Sequence, residues 1–321
     1  MFVRGASVLL TLALAGVCVL STGCNKNAVD AQKMAKEAET ISGEDWKGAA
    51  EKYKSASQLD PSNHIILAKV AALYEKNAVW QDAADYWAKA AGADPAHGSD
   101  DYAKYHFQRG YDLYQLALKD PGHQGFDKAI DPFKKAIEKD QNYADAHYYL
   151  GKVYEQQDNE QDAVNEYVLA IQTKADELAY YADLALLTLN NGEGAYGLAV
   201  AQQGQAMADK AQFTDKSAAD EAQNTWYNLA IDEARGDFLL NKNEEAIAAL
   251  VKAKALPNPK NSPREVGYYL AEAYYGIKRD KVHACQELAT YSKSPAGKAK
   301  ESVDNHKDAD QLQLMWGCSG T

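Results

Sequence analysis

The hydrophobic positions of this chain follow a helical spacing almost from end to end. Beyond the first two dozen residues, apolar side chains recur three and four positions apart, as in the segment from Ala144 to Ile171. No clear stretch alternates apolar and polar residues in the way a half-buried strand does. The pattern therefore predicts an all-α protein.

A motif of small and aromatic residues repeats along these helices. In each clear copy an alanine is followed by an aromatic residue four positions later and by a second alanine three positions after that. The leading alanines Ala49 and Ala83 lie 34 positions apart, and so do Ala129 and Ala163. A recurring period of this length is the signature of a repeat architecture in which each unit is one pair of packed helices.

The segment from Ala144 to Ile171 resembles a tetratricopeptide repeat, and so does the segment from His64 to Pro95. Seven such units are counted along the chain. The resemblance implies a right-handed superhelical solenoid of antiparallel helix pairs, which we expect to span residues 31–294. Residues 295–321 are then expected to supply a C-terminal capping helix whose apolar side chains cover the end of the stack. Those side chains are Leu312, Leu314, Met315 and Trp316.

The N-terminal segment reads as an export signal. Residues 1–23 combine one basic residue, Arg4, with an apolar run and then small residues. The stretch from Leu20 to Cys24 resembles a bacterial lipobox, although Ser21 stands where that family prefers leucine. The resemblance implies acylation of Cys24, a short linker over residues 24–30 and, because Asn25 is not aspartate, sorting to the outer membrane on its periplasmic side. The alternative is an ordinary signal peptide and a soluble periplasmic protein.

Two further cysteines, Cys285 and Cys318, remain in the C-terminal region. In the oxidising periplasm a disulfide between them is expected, and a pair of unpaired buried thiols is the alternative. Neither has a neighbour in a C-x-x-C arrangement, so the cysteines do not indicate a redox enzyme.

Charge and motif content narrow the function classes. The chain carries 34 basic and 46 acidic residues, a formal net charge of −12, which disfavours binding to duplex nucleic acid and leaves the lipid as the expected membrane attachment. The seven histidines are scattered, and the sequence contains no H-E-x-x-H, G-x-S-x-G or phosphate-loop motif. We therefore expect no catalytic activity, no cofactor and no metal site.

Tyrosine is abundant, with 21 copies against 6 phenylalanines. In tetratricopeptide repeats the first helix of each unit lines the inner wall of the solenoid, and certain positions of that helix point into it. The resemblance implies which residues of this chain occupy those positions. The implied partner-binding residues are Phe107, Tyr111, Tyr148, Lys152, Tyr227 and Tyr268. Glu155, Arg235 and Glu272 are expected to add polar groups. The alternative for each ring is helix packing, which is adopted for Tyr53, Tyr74, Tyr154, Tyr167 and Tyr274.

These observations together predict a lipid-anchored, non-catalytic protein–protein interaction scaffold of the cell envelope. It is expected to bind a peptide segment or a protein in a concave groove lined by tyrosine, a side chain that offers a rigid apolar face and a hydroxyl at low entropic cost. Two alternatives stay open, because tyrosine faces also stack on sugars. One is a glycan- or peptidoglycan-binding module, and the other is a structural, self-assembling lipoprotein.

Overall fold

The computed structural model describes residues 26–93, 100–210, 216–255, 266–293 and 309–318. Over these residues the chain forms fifteen helices and no strand, which confirms the all-α prediction. The helices are α1 (26–41), α2 (Trp46–Leu59), α3 (His64–Lys76), α4 (Trp80–Ala93), α5 (Asp100–Lys119), α6 (Asp127–Lys139), α7 (Ala144–Glu155), α8 (Glu160–Thr173), α9 (Leu178–Asn190), α10 (Gly194–Ala208), α11 (Lys216–Leu239), α12 (Asn243–Ala255), α13 (Val266–Gly276), α14 (Lys281–Lys293) and α15 (Ala309–Trp316).

The chain divides into two compact units, unit 1 up to Gln157 and unit 2 from Asp158 onwards. Within each unit the helices pack mainly on their neighbours in the chain. In unit 1, α4 packs between α3 and α5, and in unit 2, α10 packs on both α9 and α11. This packing of adjacent helices confirms the helix-pair architecture that the 34-residue period predicts.

Small residues allow the helices to approach closely. The leading alanines Ala49, Ala83 and Ala129 are fully buried, as is the aromatic side chain of Phe133. Gly110 of α5 lies directly against that ring, since a Cβ atom at this position would stand 2.7 Å from it. The small-aromatic-small motif is therefore a packing motif in which a large side chain fills the space that a small one leaves.

The turns that connect the two helices of a repeat share one geometry. Two or three positions after the first helix ends, one residue has a positive φ angle, namely Ala78, Asp158, Gly192, Asn241 or Arg279. In several of these turns the next backbone N–H donates to a carbonyl five residues earlier, as Val79 does to Tyr74 and Glu193 to Thr188. This is the hydrogen bond of a Schellman motif, which satisfies the last helical carbonyls and ends the helix.

The N-terminal expectations lie mostly outside the described residues. Cys24 and the signal segment 1–23 belong to that part of the chain. From residue 26 the backbone is already helical, so residues 26–30 of the expected linker belong to α1. The reason is packing, because Ala31 and Ala38 of α1 are fully buried in the core with α2 and α3. No helix in the described ranges has the length and apolar character needed to cross a membrane.

The C-terminal helix α15 packs on α13 and α14. Leu312 is buried with Tyr268 and Leu288, and Trp316 stacks on Tyr275 with ring centroids 4.2 Å apart. Leu314 and Met315, which we expected to cover the stack, are instead 82% and 63% exposed. Residues 312 and 316 share one face of the helix, so residue 314 points to the opposite side and residue 315 lies at the edge of that face.

A disulfide ties this helix to α14. It joins Cys285, which is buried in α14, to Cys318, which follows α15, and the two Cα atoms are 5.6 Å apart. The bond joins residues 33 positions apart. It links the end of α15 covalently to α14, and it stabilises the fold because it reduces the conformational entropy of the unfolded chain.

Candidate functional site

An aromatic cluster occupies the space between α5, α6 and α7 of unit 1. Tyr149 lies at its centre, with ring-centroid distances of 5.2 Å to Tyr111, 5.8 Å to Phe107 and 5.7 Å to Tyr114. We name the aromatic cluster by its members: Phe107, Tyr111, Tyr114, Phe126, Phe133, Tyr143, Tyr148 and Tyr149. Tyr149 was not among the residues expected to bind a partner, and the doubled tyrosine at 148 and 149 is the feature of the sequence that points to it.

Phe107 does not line an open surface. Its side chain is buried and stacks on Tyr143 at 5.0 Å, and it also contacts Phe133 at 5.9 Å. Phe107 precedes Gly110 by three residues, so both lie on the face of α5 that α6 covers. The expectation of a partner-binding role for Phe107 is corrected by this burial.

Tyr111, Tyr148 and Lys152 stay partly exposed at the edge of the aromatic cluster. The ring of Tyr148 meets that of Tyr149 edge-on at 5.2 Å. The ammonium of Lys152 lies 5.2 Å from the centroid of the Tyr148 ring, within the range of a cation–π contact. The structure therefore brings Tyr111 and Tyr148 against Tyr149 and places Lys152 over the ring of Tyr148.

A buried acid lies next to the aromatic cluster. Asp112 of α5 is fully buried, and neither of its carboxyl oxygens has a hydrogen-bond partner among the described residues. Burial, together with the nearby Glu75, raises the pKa of Asp112 to about 8. Glu75 itself accepts a hydrogen bond from the indole N–H of Trp87 at 3.1 Å. Asp112 therefore holds a proton at neutral pH, which no motif in the sequence indicates.

Tyr227 and Tyr268 of unit 2 are also buried, at 3% and 4% exposure. The hydroxyl of Tyr227 accepts a hydrogen bond from the backbone N–H of Val266 at 3.1 Å. The hydroxyl of Tyr268 donates to Glu272 at 3.1 Å, and its ring packs beside Leu312 of α15. Helices that follow in the chain cover both rings, so the expectation that they line an open groove is corrected.

An open groove of unit 2 lies beside Glu272, the hydrogen-bond partner of Tyr268. It is lined by residues of α9, α11 and α13, the first helices of three consecutive repeats, and has a volume of about 440 Å³. We call it the unit 2 groove and define it by its lining residues: Leu189, Arg235, Phe238, Leu239, Tyr269, Glu272, Ala273 and Ile277. Most of them are apolar, and Leu239 is 49% exposed. Tyr269, rather than Tyr268, supplies the tyrosine of this surface.

The guanidinium of Arg235 is held in place at the groove. It donates to Asp232 at 3.1 Å and to Asn190 of α9 at 2.8 Å. Asp232 is 5% exposed, and burial raises its pKa to about 6 although Arg235 opposes this effect. Nearby Asp183 raises the pKa further. Arg235 therefore connects α9 with α11 and has a fixed orientation.

Over the part of the chain that the structure describes, no group of three or more histidine, cysteine, aspartate or glutamate side chains is placed to hold a metal ion.

Comparisons with known proteins agree with the helical repeats. Residues 125–158 match the tetratricopeptide repeat family model. A tetratricopeptide repeat protein from Parabacteroides merdae is similar in structure, with a TM-score of 0.52 and 13% identity over 89% of this chain and 98% of that one. No curated protein sequence matches the chain significantly.

Two further solved structures are similar. One is a chain of the APC/C hetero-tetramer Cut9-Hcn1, with a TM-score of 0.53 and 15% identity over 92% of this chain and 48% of that one. The other is the MamA protein, with a TM-score of 0.50 and 20% identity over 60% of this chain and 100% of that one. At these identities the likeness concerns the fold alone. Residues 125–158 are thus similar to a tetratricopeptide repeat, and the chain shares its helical-repeat fold with these structures.

Proposed function

We propose that this protein is a non-catalytic interaction scaffold that binds a peptide segment of a partner protein in the unit 2 groove. The observation that carries the proposal is the open apolar cavity of about 440 Å³ between α9, α11 and α13. Its volume lies within the roughly 300–1,000 Å³ that is typical of ligand sites. The tetratricopeptide-type fold, which presents such surfaces on stacked helix pairs, supports the proposal.

The groove combines two features that favour binding. Leu239, at 49% exposure, presents apolar surface to water, and covering such surface contributes about 25 cal/mol per Å². Arg235 already holds its orientation through Asp232 and Asn190, so little side-chain entropy is lost when a ligand arrives. A short segment with an apolar anchor suits this combination.

We propose further that acylation of Cys24 anchors the protein in the outer membrane, with the binding surface in the periplasm. The lipobox-like stretch that ends at Cys24 supports this, as does the disulfide between Cys285 and Cys318, which suits an oxidising compartment. Labelled palmitate is expected to enter the wild-type chain and not the Cys24→Ala variant. Equal labelling of the two would contradict the anchor.

Replacing Leu239 with aspartate is expected to weaken binding of groove-dependent peptides at least tenfold. The new carboxylate puts a charge where the apolar side chain of the ligand would lie, and desolvating that charge opposes binding. Peptides selected from a random display library on the purified full chain supply the probes. Fluorescence anisotropy then measures their affinity for each variant.

Val251→Asp is the matched control, because Val251 is 47% exposed on α12 and lies outside the groove. Its affinity should equal that of the wild type, and both variants should keep the helical circular dichroism signal. If Leu239→Asp and Val251→Asp bind every selected peptide as well as the wild type does, the groove is not the binding site.

A further inference from the structure

The helices α9 and α11, which both contribute to the groove, each carry an aspartate about two turns before the end that lines it. On α9, Asp183 is followed at three and seven positions by Leu186 and Asn190. On α11, Asp232 is followed at the same spacings by Arg235 and Leu239. Residues at such spacings share one face of a helix. The hydrogen bond from Arg235 to Asn190 joins the two faces, so together they form one surface.

Carboxylates outnumber cations on this surface. Glu272 of α13 lines the groove, and Asp183 of α9 and Asp232 of α11 lie on the helices beside it, whereas Arg235 is the only lysine or arginine in α9, in α13 or in residues 228–239 of α11. Asp183 lies close enough to Asp232 to raise its pKa. The guanidinium of Arg235 already donates to Asp232 and Asn190. The surface is therefore net negative although it contains an arginine.

On the basis of the proposed function, we propose that the unit 2 groove selects a cationic, amphipathic peptide segment. An apolar side chain of this segment packs on Leu239, and a lysine or arginine side chain faces the carboxylates of Asp183 and Glu272, while the buried Asp232 keeps its ion pair with Arg235. Charge complementarity of this kind sets the choice of partner and the rate of encounter more than it adds raw affinity. An acidic segment would meet like charges and is disfavoured.

Both contacts lie on one surface, so the motif should be short. We therefore expect a basic residue and a leucine, isoleucine or phenylalanine near each other in the bound segment.

Peptide display followed by charge neutralisation tests this inference. Random ten-residue peptides are selected on the immobilised full chain, and the enriched sequences are synthesised with a fluorescent label. Their dissociation constants are measured for the wild type, for Glu272→Gln and for Asp183→Asn, at low and high sodium chloride. Glu245→Gln is the matched control, because Glu245 is exposed on α12 and does not line the groove.

Enrichment of the basic–apolar pair is expected, with each groove variant weakening binding three- to tenfold and with the control unchanged. Affinity should also fall as salt rises. The inference is overturned if the peptides lose binding in Leu239→Asp but carry no basic residue and bind Glu272→Gln like the wild type; the proposed function then stands. If no selected peptide depends on Leu239, the proposed function itself fails.

Discussion

The Asp112→Asn variant is expected to be more stable than the wild type at pH 8.5, by roughly 2–4 kcal/mol in the free energy of unfolding. Asp112 is fully buried without a hydrogen-bond partner among the described residues, and burial raises its pKa to about 8. Above that pH the wild-type chain holds an unpaired charge in its interior, whereas asparagine stays neutral.

The free energy of unfolding depends on pH because the folded and the unfolded chain bind different numbers of protons at Asp112. The ordinary pKa of an aspartate is about 4, so between about pH 4 and pH 8 the folded chain keeps a proton on Asp112 that the unfolded chain releases. The folded state binds more protons, and the free energy of unfolding therefore falls as the pH rises through this window. Asparagine cannot titrate, so the variant lacks this contribution.

Urea unfolding followed by circular dichroism at pH 5 and pH 8.5 measures the effect. The difference between variant and wild type should be small at pH 5 and largest at pH 8.5. Asp127→Asn is the matched control, because Asp127 is exposed at the start of α6, and the variant should stay within about 1 kcal/mol of the wild type in both measurements. A difference between Asp112→Asn and the wild type that is the same at pH 5 and at pH 8.5 would contradict the prediction.

Phe133→Ala is the second substitution for which a large effect is expected, a loss of about 3–5 kcal/mol in the free energy of unfolding. Phe133 is fully buried, and its ring lies against Gly110, Phe107 and Tyr149. Removing the ring leaves a cavity between α5, α6 and α7 that their rigid backbones cannot fill. The same urea titration measures the loss.

Two comparisons sharpen this result. Phe133→Leu keeps most of the side-chain volume and should lose less than the alanine variant does. Leu118→Ala removes a side chain that is 37% exposed at the end of α5, and it should cost under about 1 kcal/mol. An alanine variant at position 133 that is as stable as Leu118→Ala would mean that the aromatic cluster does not hold these helices together.

The helix pairs could be predicted from the sequence because the small and aromatic residues that pack them recur in each repeat. Ala83 and Phe133 occupy motif positions, and the structure buries both completely. The function of the inner tyrosines could not be predicted in the same way. Tyr227 is covered by the backbone at Val266, and Tyr268 by α15. In both cases the residues that bury the tyrosine lie outside its own repeat, so its position within the repeat does not predict its burial.

The groove was anticipated only in part. Arg235 and Glu272 were expected on the inner wall, and both line the groove. Leu239 and Tyr269 were not selected, because exposure of an apolar side chain depends on which neighbouring helices leave it open. The burial of Asp112 also depends on how the neighbouring helices pack. The sequence does not predict it, because a single aspartate between tyrosine and leucine also suits an exposed helix position.

Hydrogen–deuterium exchange of the full chain, with and without a saturating selected peptide, tests the central claim most directly. It locates the bound peptide without any substitution. We predict that the peptide slows exchange at the groove ends of α9, α11 and α13, near Leu189, Leu239 and Ala273. Slowed exchange confined to unit 1, or to α10 and α12 of unit 2, would contradict the claim that this groove is the binding site.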